Sequence, residues 1–295
     1  MNKLGIFMNF WEKNWEADHI KYIKKASDIG FDILEFQAQP LLEKSKEWLD
    51  EVKAVAKDNN IIMTYSLGLD KAYDLTSDDA SVRAGGVEYL KRIVECVSYL
   101  EGTFISGVSY EGWGSPSIII DNKDKRRDYS VNCMKEISKT AADYGVTYCV
   151  EAVNRFEGTV INTAEEAVDY VKRVDSKNVG ILLDTFHMTI EENDMGDAIR
   201  TAGSYLMSLH TGENNRMPPG RGTLIDWDKV FKALKDIEFK GNIVSEPFVQ
   251  MGGEVGRDIK VWRDLIPGAN EDILDKEAKG LLDFTKGMLI KYGME

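Results

Sequence analysis

The sequence predicts a single-domain (β/α)8 barrel spanning residues 1–295, and three observations predict it. Short apolar runs alternate with stretches of helical periodicity, the pattern of parallel βαβ units. Eight such runs occur, and eight parallel strands close into a ring. The last four runs each end in an acid or an imidazole: Thr147-Tyr-Cys-Val-Glu151, Val179-Gly-Ile-Leu-Leu-Asp184, Tyr205-Leu-Met-Ser-Leu-His210 and Gly241-Asn-Ile-Val-Ser-Glu246. A barrel carries its active site at the C-terminal strand ends, where these four residues fall. A doubly wound open sheet is the alternative, but no GxGxxG follows the first run.

Taken in order, Leu4 to Met8 is the first strand and Asp18 to Gly30 the first helix, with Ile20, Ile23 and Ala26 on one face and Gly30 as its stop. Phe31 to Phe36 is strand two, ending near Glu35 and Gln37. Glu47 to Asn59 is helical, Ile61 to Leu67 is strand three, and a long helix runs from a cap near Ser77 to Leu100. Thr103 to Val108 is strand four and Asp128 to Tyr144 the helix after it, ended by Gly145. Strand five ends at Glu151; Thr163 with Glu166 opens the next helix as a capping box. Strand six ends at Asp184 and is followed by a short helix, Gly196 to Ala202. Strand seven ends at His210, and Asp226 caps a helix from Trp227 to Ile237. Strand eight ends at Glu246, and a last helix runs from about Asp275 to Tyr292. The irregular stretch from Thr211 to Asp226, with Pro218, Pro219, Gly220 and Gly222, is long for a barrel loop and reads as a lid.

Composition bounds the partners. With 295 residues, 43% of them hydrophobic, the chain can bury a large core, and its net charge of −13 argues against duplex DNA or an anionic membrane surface as the main partner. The three cysteines, Cys96, Cys133 and Cys149, are sparse and form no CxxC, which fits a reducing compartment. No signal peptide opens the chain and no apolar stretch approaches membrane-spanning length, so the cytoplasm is the expected location.

The strand-end residues define the chemistry. A buried charge is costly unless paired or bound to metal, and two Glu, one Asp and one His suit a hard or borderline divalent cation. Glu151 and Glu246 come from strands five and eight, three steps apart in the ring, so their carboxylates can face each other across the mouth. A substrate held between them on a metal would lose a proton beside its carbonyl to one and regain one from the other on the opposite face. A ketose fits, and the result is an epimerisation. His187, Glu157 and Arg216 lie in loops near the mouth and would bind sugar hydroxyls; Arg216 has Glu213 as a competing partner. Trp11 and Trp113 follow strands one and four, and their rings would close over an apolar sugar face. His19 lies inside the first helix and reads as structural.

Several motifs then recur in order and spacing: Glu151-Ala-Val-Asn-Arg-Phe-Glu157, Ile161-Asn-Thr-Ala, Leu183-Asp-Thr-Phe-His-Met188, Ile190-Glu-Glu192, Leu209-His-Thr-Gly-Glu213, Asn215-Arg216, Gly220-Arg-Gly222, Glu246-Pro-Phe248 and Lys260-Val-Trp-Arg263. With them the chain resembles the ketose 3-epimerases, the D-allulose (D-psicose) and D-tagatose 3-epimerases of the xylose-isomerase-like barrels. The resemblance implies one divalent ion per subunit, Mn2+ with Co2+ or Mg2+ in its place, held by Glu151, Asp184, His210 and Glu246. It implies that Glu151 and Glu246 are also the acid/base pair, that Glu157, His187 and Arg216 hold the carbonyl end of the substrate, and that the protein is a homodimer or homotetramer. The chain departs from the family pattern with Phe7 in place of a tyrosine, Ser66-Leu67-Gly68 in place of Gly-His-Gly, and Ser106-Gly-Val-Ser-Tyr110 in place of Gly-Gly-Ala-Leu-Tyr; Ser245 and Gln250 differ around Glu246. The departures fall mostly in the first half, which would shape the far end of the sugar pocket. They leave open a lyase or dehydratase, or an aldose–ketose isomerase, acting on an oxidised sugar, glycoside or inosose. A barrel nuclease would need more than the three histidines present and a basic groove. A non-catalytic sugar-binding barrel gives no reason for two opposed carboxylates.

Overall fold

Strands buried on both faces need near-continuous apolar sequence, and each of the eight runs forms one. In the computed structural model, which describes residues 2–114 and 122–295, they are β1 Lys3–Phe7, β2 Ile33–Gln37, β3 Ile62–Ser66, β4 Phe104–Ser106, β5 Thr147–Ala152, β6 Val179–Asp184, β7 Leu206–Thr211 and β8 Asn242–Ser245. All pair in parallel and in sequence order, and β8 returns to β1, closing the barrel. The major helices are α1 His19–Ile29, α2 Lys46–Asp58, α3 Ala80–Tyr99, α4 Lys123–Asp143, α5 Ala164–Val174, α6 Thr185–Glu191, α7 Met195–Ala202, α8 Trp227–Asp236, α9 Gly253–Asp258 and α10 Glu271–Tyr292. No helix among the described residues is long and apolar enough to cross a membrane.

Period two sends alternate strand residues to the barrel interior. Two residues before Glu151 and Asp184, Cys149 and Leu182 join Phe104 in a small apolar cluster, with half-buried Met207 packed against it. Interior space is tight enough that glycine is required at one position. A Cβ on Gly5 would lie 2.7 Å from the Cβ of Ile33 and 3.1 Å from Val244 Cγ2. The main apolar core lies outside the ring, between strands and helices. There Tyr22, Ile23 and Ala26 of α1, Leu90, Val94 and Val97 of α3 and Val230, Phe231 and Leu234 of α8 are buried. Asp18, Ser45, Asp79, Asn122, Thr163, Asp194, Asp226 and Asn270 each cap a helix by accepting a backbone N–H.

Several boundaries differ from the sequence reading. Helix α4 begins five residues early because its first turn carries charge where apolar periodicity would be sought; buried Arg127 holds it down by donating to Val160 O and Glu166. Helix α6 was not foreseen. It starts where the Asp184 carboxylate accepts Phe186 N at 2.8 Å. The capping box at α5 is displaced by one residue: Thr163 accepts Glu166 N, but Glu166 returns to Asn162 N at 2.7 Å while pairing with Lys123 and Arg127.

The expected lid is not one. Pro218 and Pro219 are buried, Gly220 N donates to Glu213 Oε1 at 2.7 Å, and Gly220 lies against the Phe284 ring of α10. That loop folds down over α10, and of its residues Arg216 alone lines the mouth cavity. The mouth is covered instead by the segment after β8. Phe248, Val255, Ile259 and Val261 form an apolar cluster with Phe7 and Trp15. Bonds to the loop after β1 fasten it, among them Val255 N to Lys13 O at 3.0 Å and Trp15 Nε1 to Asp258 Oδ2 at 2.9 Å.

Candidate active site

The four strand-end residues converge at the C-terminal mouth. Glu151, Asp184, His210 and Glu246 are all buried. Potential ligand atoms of Glu151, His210 and Glu246 lie within 4.8 Å of one another, as do those of Glu151, Asp184 and His187. The two triads share Glu151. Arg216 Nη1 joins them from the other side, 3.1 Å from Asp184 Oδ2 and 3.3 Å from Glu246 Oε2, while its Nη2 reaches Glu157 Oε1 at 3.5 Å. Arg216 therefore pairs with three acids of the site. Glu213, its expected competitor, instead takes Gly220 N and Trp227 Nε1. Arg216 reaches this position through a left-handed backbone (φ 66°) and lies over the Phe186 ring, its guanidinium carbon 3.7 Å from the centroid. A strained conformation that a non-glycine residue keeps is one held in place by its surroundings, a common feature of functional sites.

His187 has a defined tautomer. Asn154 N at 3.2 Å and Asn154 Nδ2 at 2.7 Å both approach its Nδ1, which must accept, so the proton sits on Nε2. That Nε2 lies 3.4 Å from Glu151 Oε1, off the line of a hydrogen bond. Burial pushes the His187 pKa down, outweighing the neighbouring carboxylates. Glu157 accepts from Asn154 Nδ2 and from Trp113 Nε1, each at 3.2 Å. Burial works to raise its pKa, but His187 and Arg216 outweigh that and hold it below the usual range.

The donors fit a divalent cation. Glu151 Oε1 and His210 Nδ1 are buried without hydrogen-bond partners. Burial first, then the nearby Glu246, pushes the Glu151 carboxyl well above the usual range. Crowded buried carboxylates of this kind ionise together only beside a compensating charge. Oxygen and imidazole donors together suit Mn2+, Co2+ or Mg2+.

Sequence reasoning missed one member of this centre. Glu35 of β2, fully buried, reaches across the barrel to His210, with Oε1 2.9 Å from Nε2 though off the line of a good hydrogen bond. Its other oxygen accepts from Thr64 Oγ1 at 2.8 Å. Burial works to lower the His210 pKa, but Glu35 and Glu246 raise it well above its ordinary value. An acid inside an apolar strand was the available signal.

The cavity over these groups has a volume of about 240 Å3. Trp113 and Phe7 line it as expected, Phe7 edge-on to Phe248 at 5.9 Å. Trp11 does not. It is buried in the core, stacked on Tyr22 and donating to Asp275 Oδ1 at 2.9 Å, and Trp15 takes the place foreseen for it, 6.0 Å from Trp113. The drifted segments after β3 and β4 do shape the cavity, through Ser66, Leu67, Gly68, Gly107 and Val108. Ser245 and Gln250 do not line it: Ser245 bonds Thr211, and Gln250 donates to Phe10 O.

Fold and site together define a class, the closed parallel (β/α)8 barrels with a carboxylate–histidine centre at the mouth. The model of the xylose isomerase-like TIM barrel family matches residues 23–265. The chain is 46% identical to the D-psicose 3-epimerase of Ruminiclostridium cellulolyticum, over 97% of this chain and 98% of that protein. It is 43% identical to the D-psicose 3-epimerase of Agrobacterium fabrum, over 97% and 99%. The crystal structure of D-psicose 3-epimerase with D-tagatose from Clostridium cellulolyticum H10 superposes with a TM-score of 0.95 at 45% identity, covering 97% of this chain and 99% of that one. The chain belongs to the xylose isomerase-like TIM barrel family and, within it, to the ketose 3-epimerases.

Proposed function

We propose that this enzyme inverts C3 of a free ketose of the D-allulose/D-fructose or D-tagatose type by moving a proton through an enediolate. One observation carries the reading. Glu151 and Glu246 approach one cavity from strands three steps apart in the ring, and His187, Arg216 and Glu157 line the same cavity. The similarity to D-psicose 3-epimerases over nearly the full chain supports the substrate class.

One glutamate of the pair takes the C3 proton, and the other returns a proton to the opposite face. The Nε2–H of His187 donates to a substrate oxygen, a role open only to the tautomer that Asn154 imposes. Arg216 and Glu157 orient the hydroxyls beside the carbonyl, and the rings of Trp15, Trp113, Phe7 and Phe248 keep water from the intermediate. Glu151, Asp184, His210 and Glu246 would hold one divalent ion, Mn2+ or Co2+ or Mg2+ in its place. Such an ion would supply Lewis-acid polarisation of the substrate carbonyl and compensating positive charge beside these carboxylates.

The test is turnover of D-fructose, D-allulose and D-tagatose by the Mn2+-loaded protein in D2O, followed by NMR. An epimer carrying one deuterium at C3 is the expected product. Loss of a leaving group, or an aldose product carrying deuterium at C2, would replace this reading with a lyase or an aldose–ketose isomerase.

A further inference from the structure

Strand β4 stops short of the residue that most needs it. It ends at Ser106, and its register with β5 stops at Ile105 opposite Tyr148. Glu151 lies farther along β5, where β6 still runs beside it, with Glu151 opposite Leu182 and Ala152 opposite Leu183. In a parallel ladder a residue bonds one neighbouring strand with both its N–H and its C=O. The N–H of Glu151 goes to the β4 side, to Gly107 O at 3.2 Å, so its carbonyl needs a donor from that side too. The β4 backbone turns away instead of supplying one. Gly107 takes a left-handed conformation (φ 93°), and Ser109 N folds back onto Gly107 O at 3.1 Å.

A side chain supplies the donor. Tyr110 Oη donates to Glu151 O at 2.7 Å. The hydroxyl has one proton, and its other neighbour, Ile161 O, is farther at 3.4 Å and already accepts Val153 N. Tyr110 is fixed at its other end as well. Its carbonyl accepts Ser130 Oγ of α4 at 2.5 Å, which leaves Tyr170 of α5 as the donor in its 2.8 Å contact with the same serine. The Tyr110 and Tyr170 rings pack with centroids 5.8 Å apart. The next residue, Glu111, crosses the same gap, its carboxylate accepting Thr159 N, Thr159 Oγ1 and Val160 N from the loop after β5. Tyr110 is fully buried and does not line the cavity, so it acts on a ligand there only through Glu151.

We propose that Tyr110 is a positioning residue for the reaction: its hydroxyl stands in for the missing end of β4 and fixes the backbone from which the Glu151 carboxylate projects. The inference rests on the reading of Glu151 as an acid–base and metal-holding group, and adds what holds that group in place. The carbonyl carbon is bonded to the Cα that carries the side chain. Releasing the carbonyl lets the peptide plane tilt, and the Cα–Cβ direction tilts with it. Misplacing a reacting group by about 1 Å can cost about 100-fold in rate.

The same strand supplies the control. Tyr148, also on β5 and fully buried, donates its hydroxyl outward to Leu90 O of α3 at 3.3 Å. Tyr→Phe at either position removes one buried hydroxyl-to-carbonyl bond and keeps the ring, so a merely structural role predicts the same outcome for both. The test sets Tyr110→Phe beside Tyr148→Phe in the Mn2+-loaded full chain with D-fructose, and measures Mn2+ affinity of the metal-free proteins by water-proton relaxation. Tyr110→Phe should lower kcat by about 10–100-fold with KM within about twofold, and weaken Mn2+ binding by about three- to tenfold. Tyr148→Phe should leave all three unchanged. Thermal unfolding should shift similarly in the two variants, which also reports that both are folded. Equal changes in kcat and in Mn2+ affinity for the two variants, or a Tyr110→Phe protein altered in KM alone, would overturn the role. The two readings fail separately: if the wild type turns over no ketose, the epimerase mechanism falls, and the Mn2+ affinities of the two variants still decide whether Tyr110 places Glu151.

Discussion

The two halves of the barrel bury polar groups in opposite ways. Strands β5 to β8 end in charges that answer one another: Arg216 with Asp184, Glu246 and Glu157, and His210 with Glu246. Strands β1 to β4 end in neutral or apolar groups, Phe7, Gln37, Ser66 and the Gly107–Val108 turn. The histidines repeat the contrast. His210 is buried against Glu35 and Glu246, which raise its pKa well above normal. His19 is buried on Phe36, ring centroids 3.9 Å apart, and desolvation pushes its pKa down to about 4. Reactive charge is concentrated on one side, where the groups support each other. The other side is left free to set the shape of the substrate.

The sharpest way to break this division is Glu246→Gln, which keeps size and most packing but removes a proton acceptor. We expect kcat/KM to fall by about 10⁴-fold, within the range of lost acid–base catalysis, with the far-ultraviolet circular dichroism unchanged. Solvent exchange of the C3 hydrogen reads the outcome directly, and normal exchange would remove Glu246 from proton transfer.

The next effect lies in the quiet half. Because the folded pKa of His19 is about 4 and the unfolded value 6.5, folding favours the neutral ring. Its contribution is complete above pH 6.5 and is lost as pH falls from 6.5 to about 4, amounting to about 3 kcal/mol. Urea unfolding at pH 7 and pH 4.5 should show wild type losing more stability than His19→Gln by roughly that amount. Parallel losses in the two proteins would mean that His19 is charged or solvated in the fold.

Glu35 is where the halves meet, a β2 acid serving a β7 histidine. Glu35→Gln should weaken Mn2+ binding by about 10–100-fold, as loss of a carboxylate behind a metal-bound histidine does elsewhere. Titration of the metal-free protein with Mn2+, followed by water-proton relaxation, measures this without turnover. Unaltered affinity would make the Glu35–Thr64 pair a structural bond only.

The smallest effect concerns the cover over the mouth. Trp15→Ala removes the bond to Asp258 and should raise KM by about three- to tenfold, the cost of one exposed contact of about 1 kcal/mol, with kcat nearly constant. Shortening the Pro218–Gly222 loop should act differently. That loop lies on α10 and buttresses Arg216 through Glu213, so damage there should lower kcat as well. A pure KM effect from the loop would restore it as a lid.

The sequence by itself determined the barrel and the ligand end of its site, because both are written in local patterns. Apolar runs had to be buried strands, and an acid or imidazole at the end of each of the last four had to lie at one rim once the ring closed. The starts of helices α4 and α6 are not legible in the sequence, because charge at α4 and the Asp184 carboxylate at α6, rather than apolar periodicity, set them. Tertiary structure alone decided the rest. Trp11 and Trp15 are both tryptophans after β1, and only the packing of Tyr22 and Asp275 against one and Asp258 against the other separates core from cavity. Glu35 and His210 stand 175 positions apart and meet because eight strands return to their start. Gln37 became a lining residue for the same reason. Periodicity states which face a side chain takes on its own strand; what stands opposite that face is fixed by ring closure and long-range packing.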